Sequence, residues 1–138
     1  MKMTTHDFKD GNGPVPAHRH SNGGGWVADT AYVDPTAYVG KNAQVYDYAC
    51  VLDRARVYGN ARVCGSAEVR DSSYVYGSAL VSDDARVYGN AHVSGNARVS
   101  GYALVYGSAL VYGNAQVSGN AYVCGSAVVS EYTALVKG

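Results

Sequence analysis

Val57-Tyr58-Gly59-Asn60-Ala61-Arg62 is one unit of a pattern that runs unbroken through most of the chain. Valine occupies every sixth position from Val27 to Val129, eighteen times without exception. Ala stands four places after each of them, broken only by Ser73 and Thr133, and Gly or Asp usually fills the second place. A period of six is neither the alternation of a half-buried strand nor the spacing of a helical face. The unit is also too short for a helical hairpin or a βαβ repeat, so each copy supplies one short strand and one turn.

Three units then make one triangular coil. The valine points inward from a flat side, and the alanine fits the corner, where a longer side chain has no room. Gly, Asp and Asn suit the bends because they tolerate left-handed backbone angles and bond locally. Stacked in parallel at about 4.8 Å, the units give about six coils spanning ~29 Å. The expectation is an all-β chain with two parts, an N-terminal arm or cap over 1–25 and the repeat helix over 26–138.

Composition narrows the function classes. The chain has 138 residues, and its 11 basic side chains balance its 11 acidic ones. Zero net charge argues against general nucleic-acid binding through phosphate contacts. No apolar run approaches a membrane span, and Met1–Asp10 lacks the apolar core of a signal peptide, so a cytoplasmic site of action is expected. Cys50, Cys64 and Cys124 form no CxxC pair and read as free thiols.

Over residues 26–138 the repeat resembles the hexapeptide-repeat family of left-handed parallel β-helices, many of them acyltransferases and most of them trimers. The resemblance implies the left-handed coil and the homotrimer; the periodicity does not. It also implies that a catalytic member uses a histidine near a subunit interface, a protruding loop, and acyl-coenzyme A laid between subunits. His92 is the one histidine of the coils, yet the valine register never slips to admit a loop. A catalytic role for His92 belongs to the acyltransferase alternative only, and no cofactor is expected. Short, insertion-free chains of this style look like phage and bacterial proteins commonly labelled transferases.

Folding the register at eighteen residues per coil sorts the outward residues into three sides. Side one carries Gln44, Tyr46, Arg62, Cys64 and then a serine ladder, and looks solvated. Side two carries Arg70, Arg86, Tyr88, Leu104 and Tyr106. Side three carries Arg56, Tyr58, Tyr74, Tyr76, His92 and Leu110. From Val87 to Ser130 the only formal charge is Arg98, so sides two and three are expected to meet between subunits. Trp26 is expected to lie across the opening coil as an apolar lid against open strand edges. Nothing comparable follows Leu135, which leaves the far end short or docked on another copy.

Arginine forks bind phosphate oxygens and tyrosine faces stack on bases. Arg56, Tyr58, Arg70, Tyr74, Tyr76, Arg86, Tyr88, His92 and Tyr106 are therefore the candidate binding residues for a small anionic, nucleotide-like ligand at a subunit groove. His18-Arg19-His20 places two imidazoles one residue apart, which is a weak metal signature without a nearby cysteine or carboxylate. The function read from these residues is a non-catalytic, trimeric binder. In a phage it sequesters a host nucleotide signal in the host cytoplasm. The alternatives are a structural scaffold or fibre segment and the acyltransferase.

Overall fold

The computed structural model describes residues 4–131, and among these every regular element is a β-strand. No helix of the described residues is long and apolar enough to cross a membrane. Three strands open the chain: β1 (Thr5–Asp7), β2 (Pro14–Arg19) and β3 (Trp26–Ala28). Then come β4 (Tyr32–Val33), β5 (Tyr38–Val39) and fifteen further strands of two residues, each ending on a repeat valine. Pairing partners from β3 onward are eighteen residues apart and parallel, as in Gln44 with Arg62 and Tyr74 with His92. The result is three parallel sheets and about six coils.

The valine column forms the core. From Val39 to Val123 each repeat valine is fully buried, and the corner alanines pack among them. Sheet-forming β-branched valine and corner-filling alanine thus divide the interior between strand and bend. Three rows of backbone bonds tie coil to coil, shown by Arg56 N–H to Ser73 O at 3.0 Å, Tyr58 N–H to Val75 O at 3.0 Å and Asn60 N–H to Gly77 O at 2.7 Å. The turn itself closes with Ala61 N–H to Tyr58 O at 3.3 Å. Ser73 breaks the alanine column without an orphaned hydroxyl, because its Oγ donates to Arg70 O at 2.8 Å.

Asp takes the place of Gly at several bends. Asp47, Asp53, Asp71 and Asp83 adopt positive φ near 60°. Each then spends its carboxylate on the next coil, as Asp47 Oδ2 accepts from Gly65 N–H at 3.0 Å and Asp71 Oδ2 from Gly89 N–H at 2.9 Å. Left-handed backbone is tolerable for Asp when the side chain recovers a hydrogen bond.

The N-terminal segment lies along strand edges of the first coil. β1 pairs antiparallel with β2, and β2 pairs antiparallel with β3, so a hairpin covers the edge of side one. Residues 22–25 cover side three's first strand, with Val39 N–H donating to Asn22 O and Gly25 N–H to Val39 O. The triple glycine has a steric reason here, since a Cβ on Gly23 or Gly25 would stand 2.2 or 2.4 Å from backbone oxygens of this crossing. Trp26 is not a lid over the coil end. It faces outward from side one, with His6 stacked on its ring at 4.5 Å and the Arg19 guanidinium over it at 4.3 Å.

Side one is accordingly not solvated in its first coils. The hairpin folds back over it, and Phe8, Ala17, Ala28 and Tyr46 make a second apolar cluster outside the solenoid. Phe8 stacks on Tyr46 at 4.9 Å, leaving them 1% and 6% exposed. Burial pushes the Tyr46 phenol up to about 12. Phe8→Ala should cost about 3 kcal/mol of hairpin attachment while leaving the valine core intact. Limited proteolysis should then cut near residues 10–14 well below the temperature at which the coils melt.

Candidate functional site

Stacking of equivalent positions turns the outward columns into ladders. On side three, Tyr74 lies over His92 at 4.6 Å with rings 4° from parallel, and Tyr58 over Tyr76 at 5.0 Å. Tyr76 meets His92 edge-on at 6.2 Å. On side two, Tyr88 stacks on Tyr106 at 4.9 Å, and Arg70 sits 4.5 Å over the Tyr88 ring. Such pairs add modest stability, and they also use up ring faces a ligand would need.

The nine candidate binding residues therefore divide between two sheets. Arg56, Tyr58, Tyr74, Tyr76 and His92 belong to side three, while Arg70, Arg86, Tyr88 and Tyr106 belong to side two. Arg70 is also engaged with Glu68 at 3.8 Å and Asp71 at 3.9 Å. Of the nine, Arg56 and Tyr74 come together in a groove of about 500 Å³. Its other walls are Tyr38, Arg54, Thr36 and Ser72, with Asn22 at the rim. His92 and Tyr76 instead line a shallow cleft of about 180 Å³ with Leu110 and Tyr112. The single-chain structure does not bring Tyr58, Arg70, Arg86, Tyr88 or Tyr106 into either.

The groove is two stacked columns side by side. Thr36, Arg54 and Ser72 descend a corner, and Tyr38, Arg56 and Tyr74 descend the adjoining strands, with Arg56 paired between the two tyrosines. Neither Arg54 nor Arg56 makes an ion pair among the described residues, and no carboxylate lines the groove. Two guanidinium forks over hydroxyl and phenol groups constitute a donor-rich surface suited to an oxyanion. Arg54 does not flank a valine; it stands three places after Val51, at the bend.

Other reactive groups are placed elsewhere. His92 has ring faces and aliphatic walls around it, not an acid–base partner that would orient a general base. The three cysteines are free; burial raises the Cys50 thiol, with Glu68 adding to it, and burial likewise raises Cys64. Raised thiols are poor nucleophiles at neutral pH. His18 Nδ1 lies 2.7 Å from Asp29 Oδ1 at the surface, whereas His20 is buried and donates from Nε2 to Ala37 O at 2.8 Å. The two imidazoles thus have separate partners. Among the described residues no group of three or more His, Cys, Asp and Glu is arranged to hold a metal.

A family model described as the YdcK beta solenoid repeat matches residues 55–71, 79–95, 91–107 and 115–131. Comparison with curated proteins and with solved structures gives no match. The matched segments lie within the valine register, and their strands pair coil on coil in the three parallel sheets. The chain is a repeat β-helix, a parallel β-solenoid of about six coils.

Proposed function

We propose that this solenoid is a non-catalytic binder of a small anionic, nucleotide-like ligand, seated on the Arg54–Arg56 groove. One observation carries the reading: two arginines without acidic partners share a carboxylate-free groove with Tyr38 and Tyr74. Guanidinium forks take the phosphate oxygens, and a phenol ring at the groove wall offers a face to a base. The walls are contributed by stacked coils and not by mobile loops, so little ordering is needed on binding.

The same proposal takes the coil as left-handed and triangular, in the manner of the hexapeptide repeats, and the working form as a homotrimer. Support for association comes from the last coils, where Leu110 is 39% and Val128 56% exposed beside Tyr112 and Tyr122. The single formal charge between Val87 and Ser130, Arg98, stands on side one and not on that surface. Apolar faces of this kind are covered by other copies in symmetric assemblies. A partner's side two then closes the groove, which brings its Arg70, Arg86, Tyr88 and Tyr106 within reach of a bound molecule. In a phage, the ligand is a host nucleotide signal held unchanged in the host cytoplasm.

The experiment is to purify the protein from cells, denature it and identify the released small molecules by mass spectrometry. An unmodified anionic ligand is expected. The double variant Arg54→Gln/Arg56→Gln should weaken its rebinding by about a hundredfold, on the scale of two charge-assisted bonds lost. Release of a chemically altered ligand, or unchanged affinity in the double variant, would defeat the reading. A trimer that carries and rebinds nothing would favour a structural scaffold.

A further inference from the structure

A second groove, of about 480 Å³, lies where the N-terminal hairpin meets side one. It is built from different columns. Trp26, Gln44 and Arg62 are stacked on the first three strands of side one, Lys41 and Asn60 come from the neighbouring corner, and the hairpin adds His6 and Arg19. Arg19, Lys41 and Arg62 converge there, none has an ion-pair partner among the described residues, and no carboxylate lines the space. Three like charges gathered without a counter-charge repel one another, and a bound anion relieves that cost.

The chemistry of the walls narrows the ligand. The Trp26 ring is already engaged, with His6 stacked on it at 4.5 Å and the Arg19 guanidinium over it at 4.3 Å, which competes with stacking of a base. Arg19 is also fixed in place, since its Nη1 donates to Gly24 O at 3.0 Å, which leaves its other donors directed and preorganised. Burial, with Arg19 second, lowers the His6 imidazole, so His6 is neutral at neutral pH and the positive charge is that of the three long side chains. The floor is incomplete: Gln44 Nε2 lies 3.3 Å from His6 Nε2, while Gln44 Oε1 is buried with no hydrogen-bond partner. That acceptor calls for a water between it and any bound phosphate oxygen, since the two are both acceptors.

We infer that the junction of hairpin and solenoid is a second anion site, separate from the Arg54–Arg56 groove, and that it takes a compact phosphate chain without stacking a ring. Because Arg19 belongs to β2 and Lys41 and Arg62 to the coils, a phosphate chain there bridges the hairpin to the body. Occupancy therefore protects the β1–β2 hairpin, whereas the first groove takes only Asn22 from the N-terminal segment and none of β1 or β2.

The test uses the full chain, inorganic pyrophosphate and ADP as probes, and isothermal titration calorimetry near physiological salt. Pyrophosphate should bind at one equivalent to the Arg54→Gln/Arg56→Gln variant. Lys41→Gln and Arg62→Gln should each weaken it about tenfold. Lys41 is exposed, so its variant reads the site even if Arg62→Gln disturbs the sheet. Proteolysis of the hairpin should slow with pyrophosphate in the Arg54→Gln/Arg56→Gln variant and not in Lys41→Gln. Pyrophosphate binding that depends on Arg54 and Arg56 but is indifferent to Lys41 overturns the second site and leaves the first reading standing. ADP binding through Arg54 and Arg56 with no pyrophosphate binding does the same. Pyrophosphate binding that follows Lys41 and Arg62, with nothing following Arg54 and Arg56, keeps the second site and removes the first.

Discussion

Asp in place of Val75 is expected to interrupt the solenoid at its middle and unfold the coils on either side. Val75 is fully buried and paired between Val57 and Val93, and the corner hydroxyl two places before it, Ser73 Oγ, already donates to Arg70 O at 2.8 Å. Truncation to Ala would remove two methyls and cost about 2 kcal/mol, because neighbouring coils locked by backbone bonds cannot collapse into the gap. A carboxylate adds the cost of an unpaired buried charge, taking the loss beyond about 4 kcal/mol. In a stack where each coil contacts only its neighbours, that loss falls on the interfaces of one coil, and the array divides there. Val129, 6% exposed near the end of the described stack, supplies the contrast. Urea unfolding followed by circular dichroism should show an early transition for Val75→Asp and a nearly native midpoint for Val129→Asp. Equal midpoints would mean that the valines do not act through continuous stacking.

The valine register made the three sheets legible, since a fixed period of six with three sides leaves a single way to place Gln44 on Arg62 and Tyr74 on His92. The outward columns followed from the same arithmetic. What the register does not encode is anything contributed from outside it. The hairpin has no period, and its burial of Tyr46 depends on Phe8, thirty-eight positions earlier, folding back onto side one. The grooves show a second limit. Residues flanking the valines are only part of the outer surface: corner residues such as Arg54, Thr36 and Lys41 project as well, and both grooves lie where a corner column adjoins a strand column. Reading columns 36/54/72 beside 38/56/74 would have set Arg54 next to Arg56. Nor does the sequence reveal that stacking consumes side chains: Arg70 is spent on Tyr88 and Glu68, while Arg56 is not.

Substitutions at Gly95 should separate the roles of shape and hydrogen bonding at the bends, with Val far worse than Asp. Gly95 has φ of 63°, and a Cβ placed there would stand 2.8 Å from Gly113 N in the next coil. A β-branched side chain combines the left-handed strain with a clash against backbone that cannot move without breaking the ladder, for a loss of about 3 kcal/mol or more. The same approach is tolerated elsewhere in this chain, because Asp47 occupies an equivalent bend at φ 58° and its carboxylate takes Gly65 N–H at 3.0 Å. Gly95→Asp can repeat that bond on Gly113 N–H, recovering about 1 kcal/mol of the strain. Ala, with the strain and no acceptor, should fall between the two. The expected order of thermal midpoints is Gly above Asp, Asp above Ala and Ala above Val. Ala equal to Asp would show that the carboxylate bonds at Asp47, Asp53, Asp71 and Asp83 contribute nothing, and that these bends accept any small side chain. The order matters for the grooves as well, since both depend on corners that place Arg54 and Lys41 at fixed height beside the strands. A bend loosened at one level shifts the columns below it, so Gly95→Val should leave the Arg54–Arg56 groove intact only to the extent that the first three coils stay paired without the fourth.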